Sequence, residues 1–178
     1  MDNKHEPLPE RKVIRLKDYD YSQNGAYFVT ICTNNRAPYF GALSSPSVGA
    51  DLCVRPKAAY NIIEHWLLEI PKAFENTSID IYTIMPDHIH LIIRIDRPLH
   101  AGGHAGPPLQ RMMQWFKTMT TNEYTKGVKA GVLPPYDKKL WQRGFYDHVI
   151  RNEADYLECM EYIEQNPLKA HLLKQKDL

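Results

Sequence analysis

Cysteine is scarce in this sequence of 178 residues. Its three cysteines, Cys32, Cys53 and Cys159, are odd in number and widely spaced, and no two of them form a CxxC pair. The sequence therefore predicts neither a disulfide framework nor a zinc site built from thiolates. We expect all three to be small, reduced residues that lie mostly in the core.

Long apolar runs are also missing. No run approaches the roughly 20 residues of a membrane span, and the polar start MDNKHEPLPERK lacks the apolar stretch of a secretory signal. We therefore expect a cytoplasmic protein. The length predicts a polar arm over residues 1–25, a single domain over 26–173 and a short tail over 174–178.

A strong overall charge is absent too, since the net charge is only +1. The basic residues are nevertheless concentrated over 111–151, where eight Lys and Arg stand against three Asp and Glu. Such a local excess can neutralise phosphates along one face, although a solvated face is the commoner meaning of such a bias.

Apolar periodicity predicts seven elements in the order β-α-β-β-α-β-α. The segments Gly41–Pro56 and Leu99–Pro108 contain no usable motif and are predicted to be a loop or insertion and a linker. This order favours a ferredoxin-like α+β sandwich, with an antiparallel sheet and helices on one face. The predicted elements are a strand over 26–33, a helix over 57–70, strands over 78–85 and 88–95, a helix over 109–124, a short strand within 138–150 and a helix over 153–165.

The strand HIHLIIRI carries His88 and His90 one residue apart. Side chains alternate between the two faces of a strand, so both imidazoles are predicted to point to one face, with Ile89 and Leu91 on the other. Two imidazoles on one face can bind one metal ion. A pair of hydrogen-bonded or surface histidines is the more common explanation of this spacing.

The last predicted helix carries Tyr162 and Asn166 four residues apart. A helix places such a pair on one face, one turn from each other. Asn166 precedes Pro167, and a residue before proline is disfavoured in helical geometry, so we expect the helix to end there. The plainer interpretation is that Tyr162 packs, Asn166 caps the helix and Pro167 terminates it.

The stretches YFVTICTNNRAPYFG, TIMPDHIHLIIRI, FKTMTTNEY and LWQRGFYDHVIRNEADYLECMEYIEQNPLKA occur in this order. Together they resemble the REP-associated tyrosine transposases, which belong to the single-tyrosine HUH group (histidine, hydrophobic, histidine). The resemblance covers about 26–173.

The resemblance implies roles for four residues. His88 and His90 would be the HUH metal ligands on a central strand, Tyr162 the nucleophile and Asn166 a further ligand. Mixed nitrogen and oxygen ligation suits Mg²⁺ or Mn²⁺. The implied reaction is metal-dependent cleavage and joining of single-stranded hairpin DNA, similar to REP palindromes, through a 5′-phosphotyrosine intermediate. Such transposases include dimers that exchange the tyrosine helix as well as monomers, so a homodimer and a monomer both stay open.

Contacts to DNA are predicted less directly. Single strands are bound by cationic grooves with aromatic surfaces for base stacking. At least half of the aromatic residues in the basic segment are expected to lie in the core. The sequence offers five candidates: Lys117, Trp141, Arg143, Arg151 and Lys169. His148 is a further candidate as a general base or extra ligand, with a structural hydrogen bond as the alternative.

Two other functions are compatible with the predicted fold. One is a catalytically idle or regulatory protein that binds hairpin DNA without cutting it. The other is an RNA-binding module, because ferredoxin-like sheets also bind RNA through exposed aromatic residues. The intact set of His88, His90, Tyr162 and Asn166 favours an active enzyme.

Overall fold

The computed structural model describes residues 24–41, 57–96 and 108–176. The four strands are β1 (Gly25–Cys32), β2 (Thr77–Ile84), β3 (His88–Ile95) and β4 (Tyr146–Ile150), and the three helices are α1 (Lys57–Ala73), α2 (Pro108–Lys129) and α3 (Glu153–Lys176). The chain order is the predicted one. Most of Gly41–Pro56 and of Leu99–Pro108, the N-terminal arm and Cys53 lie outside the described residues.

The strands form one antiparallel sheet in the order β2-β3-β1-β4. The histidine-bearing strand β3 therefore lies in the interior of the sheet, as predicted. This arrangement of an antiparallel sheet with three helices confirms the α+β fold. Within these described ranges, no helix is both long enough and apolar enough to cross a membrane.

The two faces of the sheet are covered by different helices. On one face, α1 and α2 pack against Val29, Leu91 and Ile93 in the main core. On the other face, α3 packs through Ile163 against Phe28 and Ile92. The prediction that the helices share one face holds for α1 and α2 and is wrong for α3, because α3 has its own apolar partners on the opposite face.

The last helix also passes the proline that was expected to end it, since α3 continues from Pro167 to Lys176. Proline lacks an N–H and clashes with the preceding turn, which costs about 3 kcal/mol in a helix. The residues after Pro167 have backbone N–H donors, so helical hydrogen bonding can continue beyond the proline. Its beginning is as expected, because the Asn152 side chain accepts a hydrogen bond from the Asp155 N–H at 3.0 Å.

Candidate active site

The two histidines occupy the sheet face that α3 covers. His90 pairs with Thr30 of β1 across the ladder, and His88 pairs with Cys32. Ile89 and Leu91 point to the opposite face and are fully buried in the main core. The alternation of side chains along β3 thus separates the polar positions from the core positions, as the sequence predicted.

Each imidazole is held through its Nδ1 atom. His90 Nδ1 lies 2.8 Å from the Thr30 hydroxyl, and His88 Nδ1 lies 2.6 Å from Asp87 Oδ1. When Nδ1 carries the proton and donates to these oxygens, each ring keeps its Nε2 lone pair for another partner. A hydrogen bond that fixes the tautomer and the ring orientation in this way is the usual second-shell support of a metal-binding histidine.

His90 is the more constrained of the two rings. It is only 4% exposed, and its Nε2 atom is buried without a hydrogen-bond partner among the described residues. Burial, with help from the neighbouring His88 and Arg36, lowers the pKa of His90 to about 3. The ring is therefore neutral near pH 7. A buried, neutral nitrogen with no partner is costly unless something binds it.

Helix α3 brings Tyr162 onto these rings. The Tyr162 ring lies edge-on to His90, with 5.2 Å between centroids, and edge-on to Phe28 at 5.8 Å. Tyr162 is nevertheless 44% exposed, so solvent can reach it. Asn166 is half-buried one turn further along α3. Of the four predicted residues, three are joined by ring contacts, and Asn166 is placed by its position on the helix alone.

The exposed side of Tyr162 faces a cleft of about 640 Å³, here called the tyrosine cleft. Arg36 lies on its wall, and its guanidinium is 3.4 Å from the Asp87 carboxylate that holds His88. Asn35 and Arg36 both have φ of 55°, in the left-handed region that non-glycine residues rarely adopt. The cleft is lined by Phe28, Thr30, Cys32, Arg36, His90, Tyr146, His148, Asp155, Glu158, Cys159 and Tyr162.

The donors at the histidines fit a divalent cation. Two imidazoles have their Nδ1 atoms fixed by oxygen partners, and one Nε2 atom is buried and unpartnered. An amide oxygen from Asn166 would make a mixed nitrogen and oxygen set, which Mn²⁺ accepts well and Mg²⁺ accepts with additional water. The residues present are therefore compatible with the metal that the sequence resemblance implied.

A second polar constellation lies in the same cleft. His148 of β4 places Nε2 2.8 Å from Asp155 Oδ1 on α3, and the Cys159 sulfur lies 4.0 Å from the same oxygen. The hydrogen bond from His148, followed by that from the Arg151 N–H, lowers the pKa of Asp155. The sequence identified His148 alone and missed this group, although the spacing of Asp155 and Cys159 on a helix was visible.

Three of the predicted DNA contacts line another groove, of about 590 Å³, between α2 and residues 136–145. Trp141 is only 5% exposed, and its indole N–H donates to Thr120 at 2.9 Å. It is therefore a core residue, and the prediction of a stacking surface there is not supported. Lys117 donates to the Gln142 and Gly144 carbonyls at 3.0 and 2.6 Å. Arg143 is exposed on the rim.

The other predicted contacts are more scattered. Arg151 is exposed just after β4, and the Lys169 side chain lies outside the described residues. Another cation, Arg94 on β3, is engaged with Asp80 at 2.7 Å. The structure therefore leaves Arg143 and Arg151 as accessible cations among the predicted contacts.

Comparison with known proteins identifies the family. A model of the family described as IS200-like transposases matches residues 54–166, which include all four predicted site residues. An uncharacterised protein of Haemophilus influenzae is 34% identical over 170 residues, which is 90% of each chain. Another protein of that organism, named as a candidate REP-associated tyrosine transposase, is 27% identical and covers 84% of this chain and 74% of its own length.

A solved structure gives the same indication at the level of the fold. A REP-associated tyrosine transposase bound to a REP hairpin superposes with a TM-score of 0.56 at 20% identity, covering 88% of this chain and 73% of that one. The resemblance to REP-associated tyrosine transposases is thereby confirmed. With more than half of its length matched by the family, the chain belongs to the IS200-like transposases.

Proposed function

We propose that this chain cleaves and rejoins single-stranded hairpin DNA through a covalent phosphotyrosine at Tyr162. The observation that carries the proposal is the contact between an exposed tyrosine ring and the buried His90, whose Nε2 atom has no hydrogen-bond partner among the described residues. A solved fold neighbour is bound to a REP hairpin, which supports hairpin DNA as the substrate class.

In this proposal, His88, His90 and Asn166 hold a divalent cation, Mg²⁺ or Mn²⁺. When bound there, it would polarise the scissile phosphate and stabilise charge that develops in the transition state. The Asp87 carboxylate accepts from His88 Nδ1 and so favours the tautomer that leaves Nε2 free, and the Thr30 hydroxyl holds the orientation of the His90 ring through its Nδ1 atom. These contacts support a role for Asp87 and Thr30 as positioning residues.

Tyr162 supplies the nucleophile. Its phenol oxygen attacks phosphorus and loses its proton as the O–P bond forms, while the bond from phosphorus to the 3′ oxygen breaks and that oxygen takes up a proton. The phosphate stays on the 5′ end of the downstream strand, attached to Tyr162. Attack by another 3′-hydroxyl reverses the step and joins two strands, so no external energy source is needed.

Arg36 is suited to bind the phosphate. Its exposed guanidinium lies on the wall of the tyrosine cleft and is only loosely paired with Asp87 at 3.4 Å. Arginine binds phosphate oxygens through several N–H donors in a fixed geometry. In this role it would orient the strand for attack by Tyr162.

The test is a search for the covalent adduct. The protein is incubated with a pool of single-stranded hairpins, with Mn²⁺ or with EDTA, and its peptides are analysed by mass spectrometry. We expect nucleotide on Tyr162 only with the metal. Tyr162→Phe should abolish the adduct and keep hairpin binding, because only the hydroxyl is lost.

Tyr146→Phe is the matched control. Tyr146 lines the same cleft and is similarly exposed, at 49% against 44% for Tyr162, so its variant should still form the adduct. Tight hairpin binding without any adduct would contradict the proposal and indicate a regulatory binder. A preference for hairpin RNA over the same DNA sequence would instead indicate an RNA-binding module.

A further inference from the structure

Three side chains that can bind metal meet where β4 passes the beginning of α3. They are His148, Asp155 and Cys159, and their ligand atoms all lie within 4.8 Å of one another. None of them is among the three ligands that the resemblance implies for the catalytic metal, although His148 is also a sequence candidate for a general base or an extra ligand. All three line the tyrosine cleft and are half-buried, so an ion can enter while much of its surroundings is protein.

The separations suit one tetrahedral ion. With zinc bonds of about 2.3 Å to sulfur and about 2.0 Å to nitrogen or oxygen, donor atoms lie roughly 3.3–3.6 Å apart. The two observed separations from Asp155 Oδ1, 2.8 Å to His148 Nε2 and 4.0 Å to Cys159 Sγ, lie on either side of that range. The third separation, between His148 Nε2 and Cys159 Sγ, is at most 4.8 Å, so side-chain shifts on the order of one ångström would place all three around one ion.

The carboxylate is already oriented for this use. Asp155 Oδ2 accepts a hydrogen bond from the Arg151 N–H at 3.0 Å, which leaves Oδ1 facing His148 and Cys159. Carboxylates that bind a metal are commonly supported by such a hydrogen bond to the protein. Cys159 is held to the same helix four residues later, so α3 presents both donors from one face.

Local charge also favours a cation. Burial and the carboxylates of Asp155 and Glu158 raise the pKa of Cys159 to about 11. A protonated thiol is a poor nucleophile, which argues against a redox switch here. The same carboxylates, Asp155 and Glu158, disfavour the negatively charged thiolate and would attract a divalent cation. Binding of the cation would release the proton of the Cys159 thiol.

We propose that His148 Nε2, Asp155 Oδ1 and Cys159 Sγ form a second metal site, selective for a borderline-soft ion such as Zn²⁺. Nitrogen, oxygen and sulfur donors together suit zinc rather than Mg²⁺. The site would join β4 to the first turns of α3, three residues before Tyr162, and thereby fix the helix that carries the nucleophile. The proposal is independent of the DNA cleavage proposed above.

The test uses Co²⁺ as a spectroscopic substitute for zinc. The full chain is titrated with Co²⁺, and the near-ultraviolet charge-transfer band of a cobalt thiolate is recorded. We expect the band in the wild type, its loss in Cys159→Ser and its displacement by Zn²⁺. Cys32→Ser, which alters another cysteine of the same cleft, and Cys53→Ser should both retain it.

A double variant, His88→Ala with His90→Ala, separates the two sites and should keep the band. Zinc should also raise the midpoint of thermal unfolding in the wild type and not in Cys159→Ser, with zinc affinity weakened by about tenfold or more. Absence of the band, or a band that follows Cys32 or the His88 and His90 pair, would overturn the proposal. His148 and Asp155 would then be only an ion pair at the helix start.

Discussion

The two faces of the sheet are built from the same strands and differ sharply in content. On the face covered by α1 and α2, β3 contributes Ile89, Leu91 and Ile93, all fully buried in one apolar cluster. On the face covered by α3, the same strand contributes His88, His90 and Arg94. The apolar contact there is confined to a small cluster around Phe28, Ile92 and Ile163.

This difference assigns stability mainly to one face and the proposed chemistry to the other. A closed apolar face gains free energy from every buried methylene. The α3 face retains a buried nitrogen without a partner and an exposed tyrosine beside it. Natural proteins tolerate such local costs at functional sites and compensate for them elsewhere. The aromatic Phe28 is also covered by α3, so this sheet face is not the open aromatic surface that RNA-binding sheets use.

His90→Leu is expected to have the largest effect, and it should alter cleavage without a matching change in stability. We expect cleavage to fall by about a thousandfold or more, equivalent to roughly 4 kcal/mol in the barrier, because the proposed metal site loses a ligand. The free energy of unfolding in EDTA should change little, because the loss of the 2.8 Å contact with Thr30 is offset when apolar atoms replace a buried nitrogen without a partner. Both are measured on the same preparation, by hairpin cleavage and by urea unfolding.

Leu91→Ala is the control on the opposite face, one residue along the same strand. Here the free energy of unfolding should fall by about 2–5 kcal/mol, because a cavity opens in the main core. Cleavage by the fraction that remains folded should be close to normal. A large loss of stability in His90→Leu would mean that His90 is a structural residue, and the contrast between the faces would fail.

Lys117 lies on α2. It tests whether the side of the molecule formed by α1 and α2 also contains a buried charge that destabilises the fold. Burial lowers the pKa of Lys117 to about 8, against about 10.4 in an unfolded chain. Between pH 8 and about 10.4, the unfolded chain binds more protons at this position than the folded chain does. The free energy of unfolding of the wild type should therefore increase as the pH rises from 8. Relative to Lys117→Met, we expect a gain of about 1–2 kcal/mol between pH 7 and 9.5.

Urea unfolding at the two pH values measures this difference. Lys139→Met is the control, because Lys139 is exposed on the rim of the same groove, and its variant should follow the wild type at both pH values. A gap between wild type and Lys117→Met that does not change with pH would mean that Lys117 titrates normally.

The sequence predicted the parts of this molecule that depend on local periodicity. His88 and His90 share a face because a strand repeats every two residues, and Tyr162 and Asn166 share a face because they lie about one helical turn apart. The seven elements and their order followed from the same patterns. Neither pattern states which face of the sheet α3 covers, and that choice depends on Ile163 meeting Phe28 and Ile92.

The missed features all depend on how separate elements of the chain pack together. Arg36 reaches Asp87 from a turn in which two consecutive residues, Asn35 and Arg36, adopt left-handed backbone geometry. His148 meets Asp155 through the turn from β4 into α3. Trp141 looked available for stacking because a tryptophan in a basic segment fits that role, yet tertiary packing buries it against Phe40 and Phe116. Single-residue patterns carry no information on such packing.

Replacement of Arg143 is expected to have the smallest effect, a change in the salt dependence of hairpin binding. It tests whether the groove beside α2 contacts DNA in addition to the α3 face. Its side chain is exposed beside Lys138 and Lys139, whereas Lys117 is engaged with backbone carbonyls. If this groove follows the hairpin backbone, Arg143→Ala should reduce the slope of log affinity against log salt by about one. Lys129→Ala, an exposed change at the end of α2, should leave the slope unaltered. Equal slopes for wild type and Arg143→Ala would remove the groove from the DNA path and leave phosphate binding to the α3 face, through Arg36 and Arg151.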